Sequence, residues 1–235
     1  MIVSHKNRFI FIKTRKTAGT SIEIALARFC GPDDIITGLS ASEEQNKSDL
    51  GYRGSQNTRI PFHQYRKWDM WSWLRGGGPA HHFNHTSASL IKSRMSPESF
   101  REYCKFCVVR NPWDRAVSIY YWRKYRTKEG LPENVNFAEF LSSLPTEVLT
   151  NSELYLVDGE PEIDRFIKFE NLELELVETL EAMGLEMVEL PHAKGNTRKT
   201  KEHYSIMFDN DSIDLIARIC NWEIEYFGYE FEDMR

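Results

Sequence analysis

A lysine, two threonines and a serine surround a glycine in the stretch RKTAGTS (residues 15–21), directly after the apolar run RFIFIK (8–13). Apolar residues at helical spacing follow from Ile22 to Phe29, so the pattern predicts a buried strand, a short loop and a helix. Such a loop presents backbone N–H groups and the positive end of its helix to one point, and Lys16 adds a positive charge. We therefore expect this loop to bind a tetrahedral oxyanion, either a phosphate or a sulfate.

The loop does not match the ATP-binding motif G-x-x-x-x-G-K-[ST], because Lys16 precedes Gly19 instead of following it. A nucleotide or small-molecule kinase of similar fold is therefore disfavoured, although it stays open as an alternative function. Phosphorylation of an acceptor by ATP with magnesium would establish that alternative.

A second stretch of the same design is VVRNPWDRAVSIYY (108–121). The apolar run KFCVVR (105–110) predicts a strand, and the Asn-Pro pair after it is typical of the start of a helix. Arg110 then lies at the strand end and Ser118 about two turns into the helix, where a guanidinium and a hydroxyl can bind one phosphate together. Structural roles are the alternative, with Arg110 in an ion pair and Ser118 bonded within its helix. Two anion sites at one sheet edge indicate a ligand with two separated charged groups.

Three histidines precede the second stretch, in PAHHFNHTSASLIK (79–92). A histidine has an ordinary pKa near 6.5 and is a suitable general base at neutral pH, so His81, His82 and His85 are candidates for proton transfer. A solvated loop and a transition-metal site of the form H-x-x-H are the alternatives. No acidic or cysteine ligand lies beside them, and we expect no metal.

A third strand, IDRFIKF (163–169), precedes a helix that runs from Asn171 to about Gly184, and a last helix covers apolar positions 213–227. Three strands, each followed by a helix, predict an α/β fold: a P-loop-like three-layer sandwich with a central parallel β-sheet flanked by helices. We expect a single domain over residues 1–235.

Residues 31–80 show no strong periodicity and contain the cluster Trp68, Trp71 and Trp73. Together with the histidines, residues 31–100 are interpreted as an irregular insert around short helices that carries the acceptor region and the catalytic histidine. The tryptophans could form a flat surface for sugar rings, or they could pack the insert onto the domain.

The composition limits the classes of partner. A net charge of −5 disfavours a general nucleic-acid binder. The sequence has no window of about 18 apolar residues that could span a bilayer, so we expect no stable membrane insertion. Without a signal-peptide pattern, we expect a soluble, cytoplasmic protein. The four cysteines are too scattered for a disulfide framework, and Cys104 and Cys107 should point to opposite faces of their strand. The sequence does not indicate an oligomeric state.

Residues 9–30 and 104–126 together resemble the two cofactor-binding motifs of the sulfotransferases that use 3′-phosphoadenosine 5′-phosphosulfate (PAPS), especially the carbohydrate branch related to heparan sulfate 2-O-sulfotransferase. KTAGTS is similar to the family's 5′-phosphosulfate loop and RNPWDRAVS to its 3′-phosphate motif. The resemblance continues through DGEPEIDRFIKFENL and IEYFGYEF, and it is weak only across 31–80.

The resemblance implies in-line transfer of a sulfuryl group from PAPS to a hydroxyl-bearing acceptor, a carbohydrate in this branch. Lys16 would stabilise the leaving phosphate oxygen, and His85, with His82 as second choice, would act as general base. Arg15 stands where the family commonly has proline, and its role is open. A catalytically silent nucleotide-binding module is a further alternative. The donor-binding residues that the resemblance implies are Arg15, Lys16, Thr17, Ala18, Gly19, Thr20, Ser21, Arg110, Ser118, Asn196, Thr197 and Arg198.

Overall fold

The computed structural model describes residues 1–127, 130–131, 135–186 and 202–235. The predicted donor-binding residues Asn196, Thr197 and Arg198 lie outside these ranges. In chain order the elements are β1 (Ile2–Ser4), β2 (Phe9–Ile12), α1 (Gly19–Ala27), β3 (Ile35–Ile36), α2 (Ala41–Asp49), α3 (Lys67–Leu74), α4 (Ala88–Lys92), α5 (Pro97–Glu102), β4 (Cys104–Val109), α6 (Pro112–Arg126), α7 (Phe137–Ser143), α8 (Thr146–Leu149), α9 (Ser152–Tyr155), β5 (Leu156–Val157), β6 (Glu160–Pro161), β7 (Arg165–Lys168), α10 (Leu172–Ala182), α11 (Asn210–Ile219) and α12 (Asn221–Phe227).

The central sheet has the strand order β3-β1-β2-β4-β7. The three predicted strands correspond to β2, β4 and β7, and they pair in parallel as expected. The prediction of a parallel sheet is incomplete, because β1 pairs antiparallel with both β2 and β3. These added strands have only three and two residues, which is too short for a period-2 pattern to stand out in the sequence.

Each face of the sheet has its own hydrophobic core, because alternate residues of a strand point to opposite faces. In β2, Phe9 and Phe11 pack towards α1 and α10, whereas Ile10 and Ile12 pack towards α6, α7 and α11. The predicted three-layer arrangement is confirmed. Cys107 lies in the second of these cores and Cys104 packs against the first, so the two thiols are on opposite faces, as expected.

The end of the chain differs from the single last helix that we expected. The helix breaks at Cys220, and α12 continues from Asn221. After the break, α12 brings Glu223 into a buried ion pair with Arg115 of α6. Among the described residues, none of the helices combines the length and the apolar character that a bilayer crossing needs.

Candidate functional site

A cavity of about 1030 Å³ lies where the three parallel strands end. Its lining comes from residues 13–21 after β2, from Arg110 and Ser118 after β4, and from residues 169–174 after β7. Ligands of open α/β sheets bind at the carboxyl ends of the strands, and here all three strand–helix junctions face one space. The structure therefore brings together the two segments that the sequence identified separately.

The loop after β2 has the backbone of an anion-binding nest. Lys16 and Ala18 both adopt left-handed conformations, with φ values of 63° and 58°, and α1 begins directly after Ala18. Alternating left-handed residues turn successive N–H groups to the same side. Gly19 is required by space, because a Cβ at this position would lie 2.8 Å from the Cγ of Lys13.

The side chain of Thr17 faces into the loop. It is buried, its hydroxyl lies 2.7 Å from the hydroxyl of Thr14, and it also donates to the Thr14 carbonyl at 3.2 Å. The Thr14 hydroxyl in turn donates to the carbonyl of Val108 in β4. Thr17 thus supports the loop through its side chain, and its backbone N–H is the group it can offer to an anion.

Arg15 has a structural environment that the sequence did not indicate. Its guanidinium pairs with Glu153 at 2.8 Å and donates to the Glu147 carbonyl at 3.0 Å. The amide of Asn151 accepts from the Arg15 N–H at 3.0 Å and donates to the Arg15 carbonyl at 3.1 Å. These contacts hold the start of the loop in place. A proline at position 15 could not make them, because it has neither a backbone N–H nor a charged side chain.

Asn151 is itself held by a buried network. Its N–H donates to Glu223 at 3.3 Å, and the same carboxylate accepts from Arg115 at 2.6 and 2.8 Å and from the Tyr155 hydroxyl at 2.8 Å. Arg115 keeps the pKa of Glu223 below its ordinary value despite the opposing effect of burial, so Glu223 is ionised. The network connects α6 and α12 to the loop.

Arg110 connects the loop after β2 with the start of α6. Its Nη1 donates to the Lys16 carbonyl at 2.9 Å, and its Nε donates to Asp114 at 2.8 Å. The guanidinium also lies 4.1 Å from the centre of the Phe169 ring. Arg110 and Ser118 both line the cavity.

Trp122 was not among the predicted site residues. It lines the cavity, and the Lys16 amine lies 5.4 Å from the centre of its ring, within the range of a cation–π interaction. Trp122 follows Ser118 by four residues, so a helical reading of this segment places it on the same face. Phe169 and Leu172 also line the cavity, and their position at the junction between the third predicted strand and its helix is the signal that could have identified them.

His85 is the one of the three candidate histidines that lines the cavity. Its Nδ1 lies 2.7 Å from the Lys13 carbonyl, so Nδ1 carries the hydrogen and the Nε2 lone pair is the site that can accept a proton. Burial lowers the pKa of His85 to about 4, the charges of Lys13 and Arg15 add to this, and the hydrogen bond to Lys13 opposes it. His85 is therefore neutral at ordinary pH.

The two other histidines have different surroundings. His82 is buried outside the cavity lining, and burial together with the Arg94 charge lowers its pKa to about 4. His81 is exposed, and its Nδ1 lies 3.2 Å from the Thr58 hydroxyl. Of the three histidines, His85 is the one that combines a place in the cavity lining with a ring oriented by a hydrogen bond. The backbone of His85 is left-handed (φ 60°), as it is at Lys16 and Ala18. Left-handed backbone is strained in residues other than glycine, so three strained residues line this cavity.

Comparisons with known proteins gave a family model, a relative and a solved structure. The model described as "Sulfotransferase family" matches residues 1–230. An uncharacterized protein of Archaeoglobus fulgidus is 31% identical over 101 residues, which is 42% of this chain and 82% of that protein. Among solved structures, the fold is similar to mouse sulfotransferase SULT7A1 complexed with PAP, with a TM-score of 0.48 and 13% identity over 94% of this chain and 86% of the mouse chain.

Proposed function

Because the chain belongs to the sulfotransferase family, we propose that it uses PAPS as its sulfuryl donor. The acceptor would be a hydroxyl of a carbohydrate-type molecule, and His85 would act as general base. One observation carries the proposal: the anion-binding nest, the Arg110–Ser118 pair and an oriented neutral histidine line a single cavity. A donor with a 5′-phosphosulfate and a 3′-phosphate requires two anion sites of this kind.

The nest between Lys16 and Ser21 would hold the 5′-phosphosulfate through backbone N–H groups, and Thr20 and Ser21 would add hydroxyl donors. Arg110 and Ser118 would hold the 3′-phosphate. Asp114 holds the Arg110 guanidinium in place through an ion pair, so the 3′-phosphate would be recognised by a group of fixed geometry. The covering role of residues 196–198 stays a prediction.

Transfer would proceed by in-line displacement at sulfur. The acceptor oxygen forms a bond to sulfur, the bond between sulfur and the 5′-phosphate oxygen breaks, and the electron pair remains on that phosphate oxygen. Lys16 would stabilise the charge that develops there, and His85 Nε2 would take the hydroxyl proton. The Lys13 carbonyl supports this role, because it accepts from Nδ1 and stabilises the imidazolium that results.

The aromatic residues of the insert support a carbohydrate as the acceptor. A second cavity, of about 440 Å³, lies in the insert and is lined by Phe62, Tyr65 and Trp73 together with Arg59. Flat aromatic rings beside a cation suit the apolar faces and polar edges of a sugar, particularly an acidic one. A relation to the carbohydrate branch of the family and a cytoplasmic location are proposed on the sequence alone.

A transfer assay with radiolabelled PAPS tests the proposal, using polysaccharides, lipids and small alcohols as acceptors. We expect label on a polysaccharide, and we expect Lys16→Ala to abolish it while Lys92→Ala, an exposed lysine outside the cavity, retains it. Tight binding of adenosine 3′,5′-bisphosphate without transfer to any acceptor would instead identify a silent nucleotide-binding module. Label confined to lipids or small alcohols would contradict the carbohydrate acceptor but not sulfuryl transfer.

A further inference from the structure

Helix α3 presents its apolar side chains to the outside. A surface helix normally packs its apolar face on the core. In α3 the inward side instead carries Asp69, which accepts two 3.1 Å hydrogen bonds from Arg94, whereas Trp68, Trp71 and Leu74 are 71%, 44% and 72% exposed. These three side chains expose on the order of 400 Å² of apolar surface, the size of the functional patches found on monomeric proteins.

Positive charge surrounds these side chains. Residues 59–80 contain four lysines and arginines and one acidic residue, Asp69, within a chain whose net charge is −5. Arg94 compensates that acidic charge, and the Asp69 side chain is only 12% exposed. Lys67 and Arg75 are both exposed. Each lies four residues from Trp71 in the helix, which places them on the same side as the apolar residues. The outer face of α3, formed by Lys67, Trp68, Trp71, Leu74 and Arg75, is therefore a basic and apolar patch on an acidic protein.

The ring contacts of this patch suit a lipid surface better than a sugar. The Arg75 guanidinium lies 3.8 Å from the centre of the Trp71 ring, and the Trp68 ring stacks on Trp71 with centroids 4.8 Å apart. Both contacts occupy ring faces that a sugar would need. Leu74 adds an exposed aliphatic side chain, which enters the boundary of lipid head groups and acyl chains more readily than it packs on a sugar.

We propose that the outer face of α3 docks the enzyme onto the surface of an anionic lipid bilayer. Tryptophan and leucine side chains would enter the interface while Lys67 and Arg75 bind the anionic head groups. The negative charge of the rest of the chain would be repelled by the same surface, so electrostatics would orient the protein with α3 towards the membrane. This docking is independent of the acceptor that is sulfated.

Vesicle sedimentation with the full chain tests the proposal. We expect binding to vesicles of phosphatidylcholine and phosphatidylglycerol at roughly 3:1, weak binding to phosphatidylcholine alone, and loss of binding as salt is raised. The triple variant Trp68→Ser, Trp71→Ser, Leu74→Ser should reduce the partition coefficient at least about tenfold. Lys67→Gln with Arg75→Gln should reduce it several-fold and weaken its salt dependence.

Two exposed apolar side chains elsewhere, Ile206 and Tyr226, provide a matched control, and Ile206→Ser with Tyr226→Ser should leave vesicle binding unchanged. Calorimetry with adenosine 3′,5′-bisphosphate reports that each variant has folded. The proposal is overturned if the wild type does not sediment with either vesicle, or if the triple variant binds as well as the wild type. It is also overturned if the patch proves to bind a second copy of the chain or a soluble polysaccharide in place of the vesicle.

Discussion

The Arg110 guanidinium donates a 2.9 Å hydrogen bond to the carbonyl of Lys16, and this contact joins two segments that lie 94 residues apart in the chain. The same guanidinium is paired with Asp114 and lies against the Phe169 ring. Arg110 is thus fixed before any ligand binds. Because Arg110 contacts the backbone of the nest and also belongs to the proposed 3′-phosphate site, a change at Arg110 should affect both halves of the proposed donor site.

Arg110→Ala should lower the affinity for adenosine 3′,5′-bisphosphate about 100-fold, because a charge-assisted phosphate contact and the support of the nest are both lost. It should also lower the affinity for adenosine 5′-phosphosulfate, which has no 3′-phosphate, about tenfold. Ser118→Ala is the matched control, since the proposal assigns Ser118 to the 3′-phosphate alone. Calorimetry with both ligands checks this. Unchanged affinity of Arg110→Ala for adenosine 5′-phosphosulfate would show that the contact with Lys16 does not support the nest.

Asn151→Ala should weaken the donor site without removing any group that lines it. The Asn151 amide makes two hydrogen bonds to the backbone of Arg15, and it is almost fully buried. We expect a loss of about 1–3 kcal/mol in the free energy of unfolding, measured by urea denaturation, together with reduced bisphosphate affinity. Asn221→Ala, an exposed asparagine of α12, should change neither quantity. Full bisphosphate affinity in a folded Asn151→Ala protein would contradict the positioning role.

The pKa of His85 gives a pH prediction with a definite sign. Only neutral His85 can accept a proton, and its pKa of about 4 in the protein without ligand means that it stays neutral well below pH 6.5, the ordinary pKa of histidine. The acidic limb of kcat/KM, which reports the enzyme without ligand, should therefore fall with an apparent pKa near 4. The acidic limb of kcat should lie at higher pH than that of kcat/KM, because the negative charge of a bound donor raises the pKa of His85.

Initial rates after pH jumps measure both limbs. His85→Gln should reduce kcat by a factor on the order of 10² to 10⁴ while bisphosphate affinity is retained. His81→Gln is the control, because His81 is exposed and lies outside the cavity lining. A near-normal kcat for His85→Gln, combined with a large loss for His82→Gln, would assign the base to His82.

The residues of the site that the sequence predicted are those whose positions follow from neighbouring residues in the chain. Lys16 and Gly19 follow a strongly apolar strand directly, and Arg110 ends another, so their places at the sheet edge depend only on recognising two strands. The sequence around His85 has no pattern that fixes its position. The ring is held in the cavity by its contact with the carbonyl of Lys13, which lies 72 residues away in the chain.

Other contributions could not be predicted, because they arise from contacts between distant segments with no pattern of their own. Asn151 lies in a short polar stretch between two four-residue helices, yet it holds the backbone of Arg15, 136 residues earlier. The short strand β1 was missed for a related reason. Its three residues form a strand only because β2 and β3 pair with it on both sides.

The buried pair of Arg115 and Glu223 carries the last prediction, because it supports Asn151 and through it the loop. Both side chains are almost fully buried, and Arg115 donates to both Glu223 oxygens. Glu223→Gln leaves the Arg115 charge without its partner, so it should cost about 3–5 kcal/mol in the free energy of unfolding.

The double variant Arg115→Met, Glu223→Leu removes both charges and should recover much of that stability. It should still bind adenosine 3′,5′-bisphosphate weakly, because Asn151 has lost the carboxylate that held its N–H. Urea denaturation measures stability and calorimetry measures bisphosphate affinity in the wild type, Glu223→Gln and the double variant. Recovery of both quantities in the double variant would show that the pair only fills the core.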